Sequence, residues 1–205
     1  MILIVNYGMG NIGSVSNALD YLGGKHFISN DPNDLGKADA YILPGVGAFA
    51  KAMQNLRELR LVNELSRQVL EKRKPFLGIC LGMQLLAKDS FEMGYATGLG
   101  WIDGHVCEIE PSDGLRVPHV GWNGVMFKPD TQLFQRLDEG CHFYFDHSFH
   151  LQCPRDLVVA TCEYGGDLVA ALQMDHIFAT QFHPEKSQRN GLKLLRNFLN
   201  FVAAV

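Results

Sequence analysis

The stretch Lys74-Pro75-Phe76-Leu77-Gly78-Ile79-Cys80-Leu81-Gly82-Met83-Gln84-Leu85-Leu86 restricts the fold more than any other. It predicts a short apolar strand, a sharp turn at Cys80, then a helix. Gly78 and Gly82 flank the cysteine in G-x-C-x-G spacing, the thiol form of a nucleophile elbow. Strand and helix crowd such a turn, so a Cβ at either glycine is expected to clash. The turn exposes the sulfur and aims a helix N-terminus at it, which favours thiolate over thiol. A free cysteine lacking such glycines reads most simply as a small core residue.

The segments on either side set the fold class. Ile2 to Val5 reads as a strand, followed by a glycine-rich turn and a helix over about Asn11 to Leu22. A second strand is expected at His26 to Ser29, a turn at Asp31-Pro32-Asn33, and a third strand at Ala40 to Leu43. Pro44-Gly45-Val46-Gly47 reads as a loop. Leu56, Leu59, Val62, Leu65 and Val69 fall near helical spacing and predict one long helix from about Ala52 to Lys72. Strands alternating with helices indicate a parallel sheet covered on both faces, with ligands beyond the carboxyl ends of the strands. The loops after Val5, Leu43 and Ile79 share that edge.

The second half reads as short strands: His105 to Ile109, Gly121 to Phe127, Cys141 to Phe145, Leu157 to Cys162, Leu168 to Gln173 and Ile177 to Phe182. A last helix is expected from Ser187, as N-cap, to about Ala203, burying Leu192, Leu195, Leu199 and Val202. The expected class is α/β: a flavodoxin-like, mostly parallel sheet with flanking helices, extended by antiparallel strands in the second half. Without a linker, repeat or low-complexity tract, residues 1–205 are expected to form one domain.

A net charge of −4 with no basic block argues against nucleic acid or an anionic membrane as main partner. The apolar start is too short for a signal peptide or a membrane span. Five cysteines without a C-x-x-C pair fit a reducing cytoplasm better than a disulfide framework.

Three constellations compete to carry chemistry. Gly8, Gly10 and Gly13 form a G-x-G-x-x-G after a strand, with Asp31 beyond the next one, the pattern of a dinucleotide-binding module. The motif alone is weak, and no second mononucleotide-binding half follows. His142, Asp146 and His150 would face one way on a continuous strand and offer a metal-ligand face. Nothing else supports a metal, and a solvent-facing polar side opposite Phe143, Phe145 and His147 is the simpler reading. His183-Pro184-Glu185 ends an apolar strand. A nucleophilic cysteine needs a base, and the base needs a group that fixes its tautomer. Proline favours an extended shape in which residues i and i+2 share a side, so Glu185 can orient His183.

Gly78-Ile79-Cys80-Leu81-Gly82-Met83-Gln84 together with His183-Pro184-Glu185 resembles the class I, triad-type glutamine amidotransferases. Pro44-Gly45-Val46-Gly47-Ala48-Phe49, Val117-Pro118-His119-Val120-Gly121-Trp122-Asn123 and Gln181-Phe182-His183-Pro184-Glu185-Lys186-Ser187 resemble, within them, the glutaminase subunits of imidazole glycerol phosphate synthase. The likeness runs from Asn6 to Phe198. It implies that Cys80 is the nucleophile, His183 the acid and base, and Glu185 its orienter. It implies an oxyanion hole from the N–H groups of Leu81 and, after a peptide flip, Gly47. Gly45, Gln84, Glu92, His147 and Ser148 match positions that hold glutamine.

Tyr7, Asn11, Trp122 and Asn123 match the edge that meets a partner cyclase, a (βα)8 barrel that receives the ammonia and switches the glutaminase on. No cofactor or metal is implied. The chain departs from the family at Asp146, usually apolar, and at Phe149, often tyrosine. That leaves open a paralogous glutaminase feeding a different synthase, such as one that amidates surface sugars.

Overall fold

The computed structural model of the protein describes residues 1–110 and 114–205. The elements run β1 (Ile2–Val5), α1 (Ile12–Tyr21), β2 (His26–Ser29), α2 (Pro32–Leu35), β3 (Ala40–Gly45), α3 (Phe49–Glu58), α4 (Leu61–Ser66), β4 (Phe76–Cys80) and α5 (Leu81–Gln84). They continue with β5 (Asp89–Ser90), β6 (Ala96–Thr97), β7 (His105–Glu108), β8 (His119–Gly124), β9 (Met126–Phe127), β10 (His142–His147) and β11 (Phe149–Gln152). The chain closes with β12 (Val158–Glu163), β13 (Asp167–Met174), β14 (Ile177–Thr180) and α6 (Gln188–Ala204).

Eight strands form the main sheet in the order β2-β1-β3-β4-β14-β13-β12-β9. The first five are parallel, in the flavodoxin-like order, and the last three continue antiparallel. The expected antiparallel extension is therefore present, but it attaches through β14, which pairs parallel to β4. The other second-half strands form two small sheets, β10-β8 and β11-β7-β5-β6. The two-residue strands β5 and β6, and β11, were not expected; the first two are too short to show alternation.

Alternation along the parallel strands divides the core in two. Ile2, Ile4, Ile42, Leu77 and Ile79 pack with α1 and α6 through Val15, Leu19, Leu194, Leu195 and Phe198. Leu3, Val5, Tyr41, Leu43 and Phe76 pack with α3 and α4 through Phe49, Met53, Leu56, Leu61 and Leu65. Residues i and i+2 of a strand share a face, so one strand serves both layers.

The long helix expected over Ala52 to Lys72 is broken. Arg60 adopts φ 58° between α3 and α4, and Arg67–Glu71 forms a π-helical turn. An unbroken helix would rotate Leu61 by about 140° from Leu56. The break resets the phase, so both side chains are buried in one cluster. β3 is longer than expected, taking in Pro44 and Gly45 because Gly45 pairs with Cys80. The turn at Asp31 is a one-turn helix capped by the Asp31 carboxylate, which accepts from Asn33 N–H at 2.9 Å. Ser187 precedes α6 without capping it; its hydroxyl donates to His183 O at 2.6 Å and accepts from Tyr144 N–H.

The glycine-rich first loop packs differently from a dinucleotide fingerprint. Gly10 lies against the Pro44 backbone, where a Cβ would stand 3.0 Å from the carbonyl oxygen, but Gly13 faces open space. Close helix–strand packing is the job of the third glycine in that fingerprint, and Gly13 does not do it. Asp31, the acidic residue of the pattern, is engaged as a helix cap. Among the described residues, no helix is long and apolar enough to cross a membrane.

Candidate active site

Cys80 ends β4 at φ 53°, ψ −109°, a conformation that L-residues rarely adopt and that is held here by its surroundings. A Cβ at Gly78 would lie 2.7 Å from Gly82 O, and one at Gly82 would lie 1.8 Å from Leu43 O. β3, β4 and α5 therefore meet with backbone against backbone around the sulfur. The helix after the elbow spans only Leu81–Gln84. The field at Cys80 thus comes from a single turn of N–H groups, not from a long helix.

Parallel pairing of β14 with β4 sets Thr180 beside Ile79, so the chain leaving β14 passes the elbow. His183 N–H donates to Tyr144 O at 2.8 Å, which fixes its backbone. His183 Nδ1 lies 2.8 Å from Glu185 Oε1, and both side chains are essentially buried. The expected extended route between them is instead a 3₁₀ turn, Pro184–Lys186, which brings the carboxylate back to the ring. His183 Nε2 has no hydrogen-bond partner of good geometry. Burial opposes the imidazolium, but hydrogen bonding and negative charge from the neighbouring Cys80 sulfur, as thiolate, and the Glu185 carboxylate outweigh it and raise the His183 pKa. Cys, His and carboxylate are thus assembled, with the imidazole biased to hold a proton.

The sulfur faces a pocket of about 400 Å³ whose lining includes Gly47, Leu81, Gln84, Glu92, His147 and Ser148, with Asp146 also at its wall. Gly47 sits at φ +96°, in the glycine region. Gly45 is not among the lining residues. It lies beneath the elbow, where a Cβ would meet the Tyr7 hydroxyl at 2.6 Å and Leu81 Cβ at 2.7 Å. Glu92 accepts from Phe49 N–H at 2.7 Å and so caps α3 from the pocket side. Gln84 donates to Phe149 O at 2.8 Å and to Gln181 Oε1 at 3.1 Å, leaving its own oxygen for a ligand.

Of the residues matched to the partner edge, Trp122 is 46% exposed, and Asn11 and Asn123 are partly buried. Tyr7 is buried, with its hydroxyl against Gly45, and does not reach the surface. The metal-ligand face weighed and set aside above is broken: His142 and Asp146 are exposed on β10, but His150 belongs to β11 after a bend at Ser148. Among the described residues, no three His, Cys, Asp or Glu side chains converge on a metal position.

Two buried polar residues were not singled out from the sequence. Gln181 follows β14 directly and places Nε2 3.6 Å from Cys80 Sγ. His119 stacks between Phe145 and Tyr164, with ring centroids 4.6 and 3.8 Å away. Each interrupts an apolar environment, and a buried polar group requires partners; that was the available signal.

Hydrogen bonding around His119 is ordered. The Asn123 amide donates to His119 Nε2 at 3.3 Å, so His119 Nδ1–H donates to His147 Nε2 at 3.0 Å, and His147 Nδ1–H to Phe149 O at 2.8 Å. Both imidazoles are neutral in this chain. Burial lowers them, His147 to about 3 and His119 to about 4. A histidine that titrates lower when folded is protonated preferentially in the unfolded chain. Its stabilisation is complete above the unfolded value of about 6.5 and is lost as pH falls through the folded values. The urea midpoint is therefore expected to fall between pH 7 and pH 5; a flat midpoint over that range contradicts the assignment.

Comparisons with known proteins give the family. The family model for glutamine amidotransferase class-I matches residues 4–201. The chain is 49% identical to imidazole glycerol phosphate synthase subunit HisH 1 of Campylobacter jejuni strain RM1221, covering 97% of this chain and 99% of that protein. It is 46% identical to subunit HisH of the same synthase from Aquifex aeolicus, covering 96% and 94%. A solved glutamine amidotransferase superposes with a TM-score of 0.76 over 100% of both chains at 22% identity, a likeness of fold. The chain belongs to the class I glutamine amidotransferases and, by identity over nearly its whole length, to their HisH branch.

Proposed function

We propose that this chain hydrolyses glutamine to glutamate and ammonia and passes the ammonia to a partner synthase. The observation that carries the reading is Cys80 on a strained elbow, beside the His183–Glu185 pair, at a pocket lined by Gln84, Glu92, His147 and Ser148. The Cys80 thiolate attacks the side-chain amide carbon. His183 protonates the departing ammonia, leaving a γ-glutamyl thioester. His183 then takes a proton from water, which hydrolyses the thioester to glutamate and frees the thiolate. The tetrahedral oxyanion is met by Leu81 N–H and, after the Val46–Gly47 peptide turns, by Gly47 N–H. A glycine makes that turn sterically cheap. Glu92 and the free oxygen of Gln84 suit the substrate ammonium.

Glu185 holds the ring with Nδ1 protonated and Nε2 toward the sulfur. Glu185→Gln is expected to lower kcat for glutamate release by about 100-fold to 10,000-fold, by analogy with carboxylate loss in Ser-His-Asp triads. Unchanged turnover in that variant would remove Glu185 from the mechanism. The nucleophile is tested with a glutamine analogue bearing a diazoketone in place of the amide. Labelling is expected on Cys80 alone and to be blocked by glutamine. A label on another cysteine, or none, overturns the assignment.

The partner in this proposal is a (βα)8-barrel cyclase of imidazole glycerol phosphate synthesis in the histidine pathway, bound as a heterodimer over the pocket mouth. Exposed Val46, Val120 and Trp122 supply apolar surface near that mouth. A covered route matters because ammonia released into neutral water becomes ammonium, which is not nucleophilic. One observation favours a second reading. Asp146 stands exposed on the rim, 3.9 Å from Lys186, and places a carboxylate where the family is usually apolar. That departure leaves room for a different partner, such as a paralogous synthase that amidates surface sugars, and the partner test below separates the two.

A further inference from the structure

Gln181 is completely buried, and the orientation of its amide is dictated by its neighbours. The Gln84 amide has two hydrogens. One goes to Phe149 O and the other to Gln181 Oε1. With its oxygen held there, Gln181 must turn its NH₂ toward Cys80, and Nε2 lies 3.6 Å from Sγ. The sulfur is the side-chain N–H group's acceptor in this site. A neutral thiol is a weak acceptor, so the buried donor is poorly satisfied while the sulfur is protonated. A thiolate is a strong one. The competing contact favours the other state: the S–H group points at Asp146 O, 3.8 Å away, and loses that contact on ionisation.

We propose that Gln181 is a catalytic residue of the reaction described above, donating its amide N–H to the Cys80 sulfur and stabilising the attacking thiolate. Gln84 is the positioning residue that keeps the donor aimed. The proposal rests on Cys80 being the nucleophile, but its test needs neither glutamine nor a partner. A link between α5 and β14 that served only for packing would leave the reactivity of the sulfur unchanged.

The test is peptide-resolved alkylation of the full chain by iodoacetamide across pH 6 to 10. In Gln181→Met the volume is roughly kept but the donor is gone, and Gln84 exchanges the amide oxygen for a weakly accepting thioether. Cys80 alkylation at pH 7 is expected to slow about tenfold or more, the loss of one hydrogen bond to a charged group. Cys107, Cys141, Cys153 and Cys162 serve as internal controls, and their rates are expected to stay at wild-type levels when the fold is intact. If Gln181→Met exposes those controls, Gln181→Asn, which keeps a buried uncharged amide but ends one methylene short of the sulfur, carries the same expectation for Cys80. An unchanged Cys80 profile in either folded variant overturns the proposal. Slowed Cys80 alkylation in a chain that never hydrolyses glutamine would uphold Gln181 as a thiolate donor and refute the glutaminase reading instead.

Discussion

Replacing Cys80 with alanine is expected to abolish glutamine hydrolysis while leaving the fold in place. Loss of the nucleophile in a triad enzyme costs about a million-fold in kcat, because base and oxyanion hole then have nothing to act through. The structural effect is expected to stay within about 1 kcal/mol. The hydrogen-bond contacts of the sulfur to Gln181 and to Asp146 O are long, 3.6 and 3.8 Å, and the substitution removes a single heavy atom. Its strained backbone is imposed by Gly78, Gly82 and the β3–β4 pairing, all of which remain. Glutamate release and a urea melt on the same sample check both halves. Residual turnover above about one part in 10,000 would mean that another group attacks the amide.

The second large effect is on stability and comes from the glycine beside the cysteine. Gly82→Ala places a methyl group where the Leu43 carbonyl oxygen already stands, 1.8 Å from the ideal Cβ. Neither atom belongs to a flexible side chain, so β3 or α5 must move. Overpacking of a core typically costs about 1–3 kcal/mol, and a clash with backbone belongs at or above the top of that range. For a chain of this size about 3 kcal/mol lowers Tm by roughly 6–12 °C. Gly13→Ala is the matched control. Gly13 lies in the first turn of α1 with nothing within 4 Å of an added Cβ, so the same substitution there is expected to be neutral or stabilising by up to about 1 kcal/mol. Equal melting shifts in the two variants would contradict this reading of the elbow.

The elbow was legible because its constraint is local: two glycines two residues either side of a cysteine, between a strand and a helix. His183 and Glu185 were legible for a related reason, since spacing alone brings them together. The route was not: a 3₁₀ turn, rather than an extended segment, joins them. The break at Arg60 was hidden because Leu56, Leu59, Val62 and Leu65 satisfy helical spacing nearly as well in one helix as in two. Gln181 and His119 were hidden for a tertiary reason. Each is a single polar residue whose partners come from distant segments: Cys80 and Gln84 for one, Asn123 and His147 for the other. Tyr7 was placed at the partner edge only by the family resemblance, and packing against Gly45 draws its side chain inside. Periodicity records which face a residue takes within its own element. It does not record which distant backbone comes to meet it.

Glutamate release from glutamine, measured with and without a (βα)8-barrel cyclase subunit and its nucleotide substrate, tests the assignment most directly. The chain alone is expected to turn over slowly, because in the proposed mechanism Gly47 N–H reaches the oxyanion only after the Val46–Gly47 peptide turns. Addition of the cyclase and nucleotide is expected to raise the rate severalfold at least, and Cys80→Ala is expected to remove the stimulated rate entirely. Stimulation by a sugar-modifying synthase and not by the cyclase would keep the glutaminase and change its partner. No glutamate under any of these conditions, from a folded chain with Cys80 intact, would contradict a partner-switched glutaminase altogether.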